Sequence, residues 1–171
     1  MSVVELICAA FVALALPNAD MACEHMETVV KASEKFEVDP VIMTALIHVE
    51  SRWTADARSR SNACGLTQIL PKYTRKSYGG RVTCRQLFEP KLSIYKGSDI
   101  LGRYLKRYRR NYRRSLCSYN AGPRRCVRGH SPTKGTRYAR KIIKLSRRLH
   151  REMERIKNEG FTDADVPGCY E

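Results

Sequence analysis

Apolar residues recur at helical spacing in four separate stretches of the chain. Between Glu24 and Phe36, the residues Met26, Val29, Val30, Ala32 and Phe36 line up near one stripe, which predicts a helix that closes before Val38-Asp39-Pro40. Asp39 reads as an N-cap and Pro40 as a first helical residue, since an aspartate accepts from free backbone N–H groups and proline needs no N–H there. The helix starting at Pro40 carries Ile42, Ala45, Leu46 and Val49 at i, i+3, i+4 and i+7 and runs towards Glu50. A third helix, from Leu92 to Tyr108, turns Ile94, Ser98, Leu101, Leu105 and Tyr108 one way. A final one, from Thr136 to Lys157, does the same with Tyr138, Ile142, Leu145, Leu149, Met153 and Ile156.

The intervening segments lose this period. Ser51 to Ala63 is polar and reads as loop, with room for a short extended element. Tyr78-Gly79-Gly80 marks a turn, an irregular stretch follows to Pro90, and Ala121-Gly122-Pro123 is a helix stop after the basic run that continues the third helix. The stretch RRCVRGHSPTKG is loop by composition. There is no internal repeat and no linker long enough to split the chain. The expected fold is mostly α, a single helical domain, and 171 residues with 43% hydrophobic content can bury a real core.

The first residues are ambiguous. Leu6 to Leu16 is an uninterrupted apolar run ending at Pro17, shorter than the roughly 20 residues a bilayer span needs and about the length of a signal-peptide core. Residues 1–22 are therefore expected to be a signal peptide or a signal-anchor that stays attached. Glu5, the absence of Lys and Arg before the run and the lack of a clean cleavage pattern at Ala19 and Ala22 speak against a standard signal. The alternative is a buried N-terminal helix of the domain. Loss of Cys8 with a signal would leave Cys23, Cys64, Cys84, Cys117, Cys126 and Cys169, an even number that suits up to three disulfides in an oxidising compartment. Pairing Cys64 with Cys84 and Cys117 with Cys126 closes short loops, and Cys23 with Cys169 would tie the ends, among about 15 connectivities that six cysteines allow. No C-x-x-C occurs and the four histidines are scattered, so no metal site is expected.

The net charge is +15, from 32 Lys+Arg against 17 Asp+Glu. Such a field favours a polyanionic partner: nucleic acid, anionic lipid or the acidic polymers of a cell envelope. Between Arg103 and Arg114 seven cations interleave with three tyrosines, a pattern that fits a solvated helix face, a nucleic-acid surface or attraction to an anionic wall or lipid. Against this background Glu50 stands out. It lies four residues beyond Leu46, so its side chain leans on the edge of a buried stripe, where desolvation raises a carboxyl pKa and makes a general acid. The bland alternative is a solvated helix-end residue paired with Arg52 or Arg58.

Three further motifs weigh in. Glu50-Ser51, then Gly65-Leu66-Thr67-Gln68, then Ser118-Tyr119-Asn120-Ala121-Gly122 resemble, in order and spacing, the lytic transglycosylases of the soluble transglycosylase type, and Gly135 to Ile142 is similar to their fourth motif. The resemblance covers roughly Cys23 to His150 and implies a lysozyme-like helical fold with an active-site cleft, also like that of goose-type lysozymes. With the apolar first segment and the acidic, irregular tail read from composition, the chain is expected to divide into 1–22, a transglycosylase domain over 23–157 and an acidic tail over 158–171. The resemblance implies Glu50 as the catalytic residue and Ser59, Gln68, Tyr119, Asn120 and Tyr138 as substrate-binding residues. Tyr119 would contact the region of the glutamate and Tyr138 would line the cleft. Thr67 stands where methionine is usual and Ser118 where alanine is usual, and Thr67 is expected to alter how a sugar ring packs.

The implied activity is cleavage of the β-1,4 bond between N-acetylmuramic acid and N-acetylglucosamine in peptidoglycan glycan strands, closing a 1,6-anhydro ring. Glycosidases generally use two carboxylates, and only one stands in a motif here, with Asp56 the nearest downstream acid. No metal or organic cofactor is implied. The expected setting is export to the periplasm or cell envelope, with secretion, pilus or phage machinery as conceivable partners and nucleic acid disfavoured. The competing readings are a hydrolysing muramidase on the same fold and an inactive basic protein that binds envelope or nucleic acid.

Overall fold

A computed structural model describes residues 1–74, 81–126 and 133–160. The elements in chain order are α1 (Val3–Ala13), α2 (Ala19–Glu24), α3 (Met26–Lys35), α4 (Pro40–Ser51), α5 (Cys84–Leu87), α6 (Pro90–Arg107), α7 (Tyr112–Ala121) and α8 (Thr133–Glu159), with single 3-10 turns at Pro71–Tyr73 and Pro123–Arg125. Among the described residues the β structure is confined to isolated bridges, Arg58 with Cys64 and Cys64 with Ile69.

The centre of the molecule is α4. Asp39 Oδ1 accepts from the N–H groups of Val41 and Ile42 at 2.7 and 3.1 Å, and Pro40 follows as the first helical residue. From Val41 to Ile47 every side chain is buried, so this helix is enclosed on all sides rather than striped. Around it, α8 packs against α4, α7 and α1, while α6 packs against α3, α5 and α7. The long predicted helices appear where the apolar period placed them. Two differ in detail. The segment from Glu24 is broken at His25 into α2 and α3, and the basic run after α6 is not continuous: Arg109 and Arg110 are left-handed at φ 50° and 63°, and Asn111 restarts the chain by accepting from the Arg114 N–H at 3.0 Å.

The apolar N-terminal run is helix α1, opened by a capping box in which Ser2 and Glu5 exchange side-chain-to-backbone hydrogen bonds. Leu6, Ile7, Ala10 and Phe11 lie in the main core together with α4 and α8. No described helix is long and apolar enough to cross a membrane.

Cys64–Cys84 and Cys117–Cys126 are disulfides, the two short-loop pairings the sequence suggested. Cys23 on α2 sits beside Cys8 on α1, where the Cys8 thiol donates to Cys23 and that contact, with burial, holds Cys8 far above the ordinary thiol range. Cys169, the partner suggested for Cys23, lies outside the described residues, as do the Tyr78-Gly79-Gly80 turn, most of the loop before α8 and the tail from residue 161.

Candidate active site

Glu50 lies in the last turn of α4, and the helix stops just beyond it because Arg52 and Trp53 are left-handed at φ 50° and 67°. The turn is held from behind. Trp53 folds back into the core, 1% exposed, with its ring edge-on to Phe11 of α1, and Phe11 is also edge-on to His48. Asn18 Nδ2 donates to the Arg52 carbonyl at 2.6 Å. These contacts fix the turn that carries Glu50.

Tyr138 on α8 donates its hydroxyl to Glu50 Oε1 at 2.6 Å, a contact between residues 88 apart in sequence. Burial pushes Glu50 up from an ordinary 4.5 to about 7, with the Tyr138 hydrogen bond working in the opposite direction by stabilising the ionised form. A carboxyl with this value is divided between its acid and its base forms at neutral pH. Burial first, and then the Glu50 charge, raise the phenols of Tyr138 and Tyr119 well above their ordinary range, so both remain O–H donors.

Tyr119 on α7 sits near enough to Glu50 for that charge to be felt, yet its hydroxyl donates to the Thr67 carbonyl at 2.8 Å. The resemblance placed Tyr119 in the region of the glutamate, as the fold does, and Tyr138 along the cleft. In the fold the direct hydrogen bond to Glu50 belongs to Tyr138, and Tyr119 anchors the facing loop. That loop is heavily braced. Gly65 is left-handed at φ +77°, and a Cβ there would come within 2.0 Å of the Leu87 carbonyl oxygen, so only glycine fits. Next to it the Cys64–Cys84 disulfide ties the loop to α5, over a small second core of Cys64, Ile69, Val82 and Leu87.

Thr67 does not face a ligand. It is fully buried, its hydroxyl donates to the Ser93 carbonyl at 2.8 Å and it packs on Gly97, where a Cβ would meet its side chain at 2.6 Å. The expectation that it alters how a sugar ring packs is therefore corrected: the shorter side chain lets the loop dock on α6. Gln68 is left-handed at φ 49° and spends its Nε2 on the carbonyls of Ala57 and Gly65, each at 3.0 Å. Ser59 Oγ accepts from the Ala63 N–H at 3.0 Å and keeps its own proton to donate. Asn120 is exposed on α7, one residue beyond Tyr119.

The fold thus joins Glu50 directly to Tyr138 and sets Tyr119 beside them. Ser59 and Gln68 belong to the loop that Tyr119 holds. Among the described residues, none of Ser59, Gln68 and Asn120 hydrogen-bonds Glu50. Asp56 is exposed on the same loop and does not contribute to the shift of Glu50. No described group of three or more His, Cys, Asp or Glu is placed to hold a metal ion. Sequence reasoning missed Phe11, the Thr67 carbonyl and Ser93, because each acts through contacts with residues far away in the chain.

The mostly helical, single-domain structure is of the lysozyme-like class. The transglycosylase SLT domain model matches residues 27–142, and the chain belongs to that family. It is 28% identical over 88 residues to membrane-bound lytic murein transglycosylase E of Buchnera aphidicola subsp. Acyrthosiphon pisum (strain APS), covering 48% of this chain and 40% of that protein. The fold resembles an inactive mutant of the lytic transglycosylase Slt from Pseudomonas aeruginosa, with a TM-score of 0.66 at 21% identity over 76% of this chain and 24% of the other. It also resembles the 70 kDa soluble lytic transglycosylase from Escherichia coli, with a TM-score of 0.66 at 20% identity over 83% of this chain and 25% of the other. The chain spans less than half the length of each of these relatives.

Proposed function

We propose that this protein is a peptidoglycan lytic transglycosylase in which Glu50 serves as both acid and base. The observation that carries the reading is the buried Glu50 carboxyl, held near pKa 7 and touched by Tyr138. Protonated, Glu50 gives its proton to the glycosidic oxygen between N-acetylmuramic acid and N-acetylglucosamine as that C–O bond breaks. Positive charge grows on C1 of the muramic sugar, and its own N-acetyl carbonyl shields it. Glu50, now ionised, takes the proton of the C6 hydroxyl while O6 bonds to C1, closing the 1,6-anhydro ring and restoring the acid. No water is consumed, and one carboxyl suffices because it works twice.

Tyr138 steadies the ionised form between the two proton transfers. In this proposal Gln68 Oε1, the Ser59 hydroxyl and Asn120 orient the N-acetyl and hydroxyl groups of the glycan, an effect that lowers the barrier through geometry. Residues 23–157 form the catalytic unit in this proposal, with 158–171 as an acidic tail, and the setting is the periplasm or cell envelope. The burial of α1 supports retention of the N-terminal segment after export.

The test is mass spectrometry of fragments released from purified peptidoglycan. Products ending in 1,6-anhydromuramic acid are expected. Reducing ends would instead mean a hydrolysing muramidase, and no release would favour a basic binding protein. Tyr138→Phe is expected to lower turnover about tenfold, an order of magnitude suited to one hydrogen bond to a charged group. Because that bond lowers the Glu50 pKa, its loss should also move the alkaline limb of the pH–rate profile upward. An unmoved limb would remove Tyr138 from the proton-transfer step.

A further inference from the structure

The final helix has a second face that the proposed reaction does not use. From Thr133 to Arg151 the sequence holds eight Lys and Arg and no Asp or Glu. Four of these cations, Arg140, Lys144, Arg147 and Arg151, fall at i, i+4, i+7 and i+11, and together with Arg113 of α7 they line a groove of about 720 Å³ whose only apolar lining residue is Ile143. At ~1.5 Å per residue the four span roughly 16 Å along the helix, one cation every ~4.5 to 6 Å. At ~100° per residue they lie ~180 to 240° around α8 from Tyr138, on the side turned away from Glu50.

These five cations have no carboxylate partner among the described residues. The acids of α8 sit further on and are taken: Glu152 and Glu159 pair with Arg155, and Glu154 pairs with Lys157. A solvated helix face is ordinarily laced with i, i+3 and i, i+4 pairs. Among the described residues the acids of α8 and their i, i+3 and i, i+4 pairs lie in its last turns, and no described carboxylate faces the five cations of the groove. Packing like charges together costs free energy, and a bound polyanion recovers it.

From this we infer that the α7–α8 groove is a binding site for a linear phosphodiester-linked polyanion lacking nucleobases, of the polyol-phosphate kind, distinct from the Glu50 cleft. Three observations select this occupant. Charge complementarity requires an anion, and four of the five cations are arginines, whose planar fork suits phosphate oxygens. The cations border a concave trough, which a single strand can enter and a flat bilayer surface meets only at its rim. Among the described residues the lining contains no aromatic ring, the stacking platform that single-stranded nucleic acids use. A strand lying along α8 would meet the four helix cations in succession.

The test measures binding of a fluorescent poly(glycerol phosphate) chain to the full-length oxidised protein, beside oligo-dT of equal charge and phosphatidylglycerol vesicles. Its readout is independent of glycan cleavage, so failure of the transglycosylase reading leaves it interpretable. The variant Arg140→Gln/Lys144→Gln/Arg147→Gln/Arg151→Gln is compared with Arg60→Gln/Arg85→Gln/Lys91→Gln/Arg124→Gln, which removes equal charge from exposed positions outside the groove, and circular dichroism verifies that both are folded. The expected result is tighter binding of the glycerol-phosphate polymer than of oligo-dT. Affinity should drop at least ~30-fold in the groove variant and only a few-fold in the other. The slope of log affinity against log salt should shrink by roughly 3 in the groove variant, as the loss of four phosphate contacts implies. Equal losses in both variants would reduce the effect to the overall charge of +15 and overturn the proposal. Preference for oligo-dT, or binding to vesicles alone, would overturn it in favour of a nucleic-acid or membrane surface.

Discussion

Replacing Glu50 by glutamine is expected to suppress release of anhydro products by ~10²–10⁴, the range that general acid-base catalysis contributes. The amide keeps an oxygen that can accept from Tyr138 but can neither give nor regain a proton at the glycosidic bond. The same change should make the fold more stable in alkaline solution. In the unfolded chain this carboxyl titrates near 4.5, and in the fold near 7. Below 4.5 it is protonated in both states and costs nothing. Between the two values the folded state binds more protons than the unfolded one, so stability falls as pH rises and levels off above 7. A separation of this size corresponds to about 3 kcal/mol. Glu50→Gln, which cannot ionise, is therefore expected to match the parent near pH 4 and exceed it by about that amount at pH 8 in urea unfolding. An inactive variant with unchanged pH dependence of stability would mean that Glu50 is not desolvated in solution; an active one would remove it from the chemistry.

Phe11→Ala is the second large effect. Phe11 is fully buried, edge-on to Trp53 and His48, directly behind the turn that ends α4. Loss of a buried phenyl group in such a place costs ~3–5 kcal/mol, which for a chain of this size lowers the melting temperature by on the order of 10 °C. Because the cavity opens under the turn carrying Glu50, turnover should fall as well, at temperatures where the variant remains folded. Val3→Ala, on an exposed position of the same helix, is expected to change neither. Calorimetry and fragment release on both variants decide the matter: wild-type values for Phe11→Ala would mean that α1 is not part of the working core. A chain beginning at Cys23 should melt lower still, since it also loses Leu6, Ile7 and Ala10.

Much of this was legible from local signals. The Asp39-Pro40 start of α4, the stripes of α6 and α8 and the Gly65 turn are written in residues within one or two turns of each other, where period and capping chemistry act. The break at Arg109 and Arg110 was not, because two consecutive left-handed arginines have no composition signal. The N-terminal run was legible as apolar but not as core or export segment, since both need the same side chains.

By itself the sequence determined a mostly helical domain, a glutamate at the edge of an apolar helix and the ordered motifs that lead to its family. Only the tertiary structure decided which tyrosine touches Glu50, that Thr67 is a buried anchor of its loop, and that α1 backs the turn carrying Glu50. The reason is physical. Helix period and capping depend on neighbours a few residues away. The hydrogen bond from Tyr138 to Glu50 joins positions 88 residues apart, and the burial that drives Glu50 towards pKa 7 exists only once distant helices close over it.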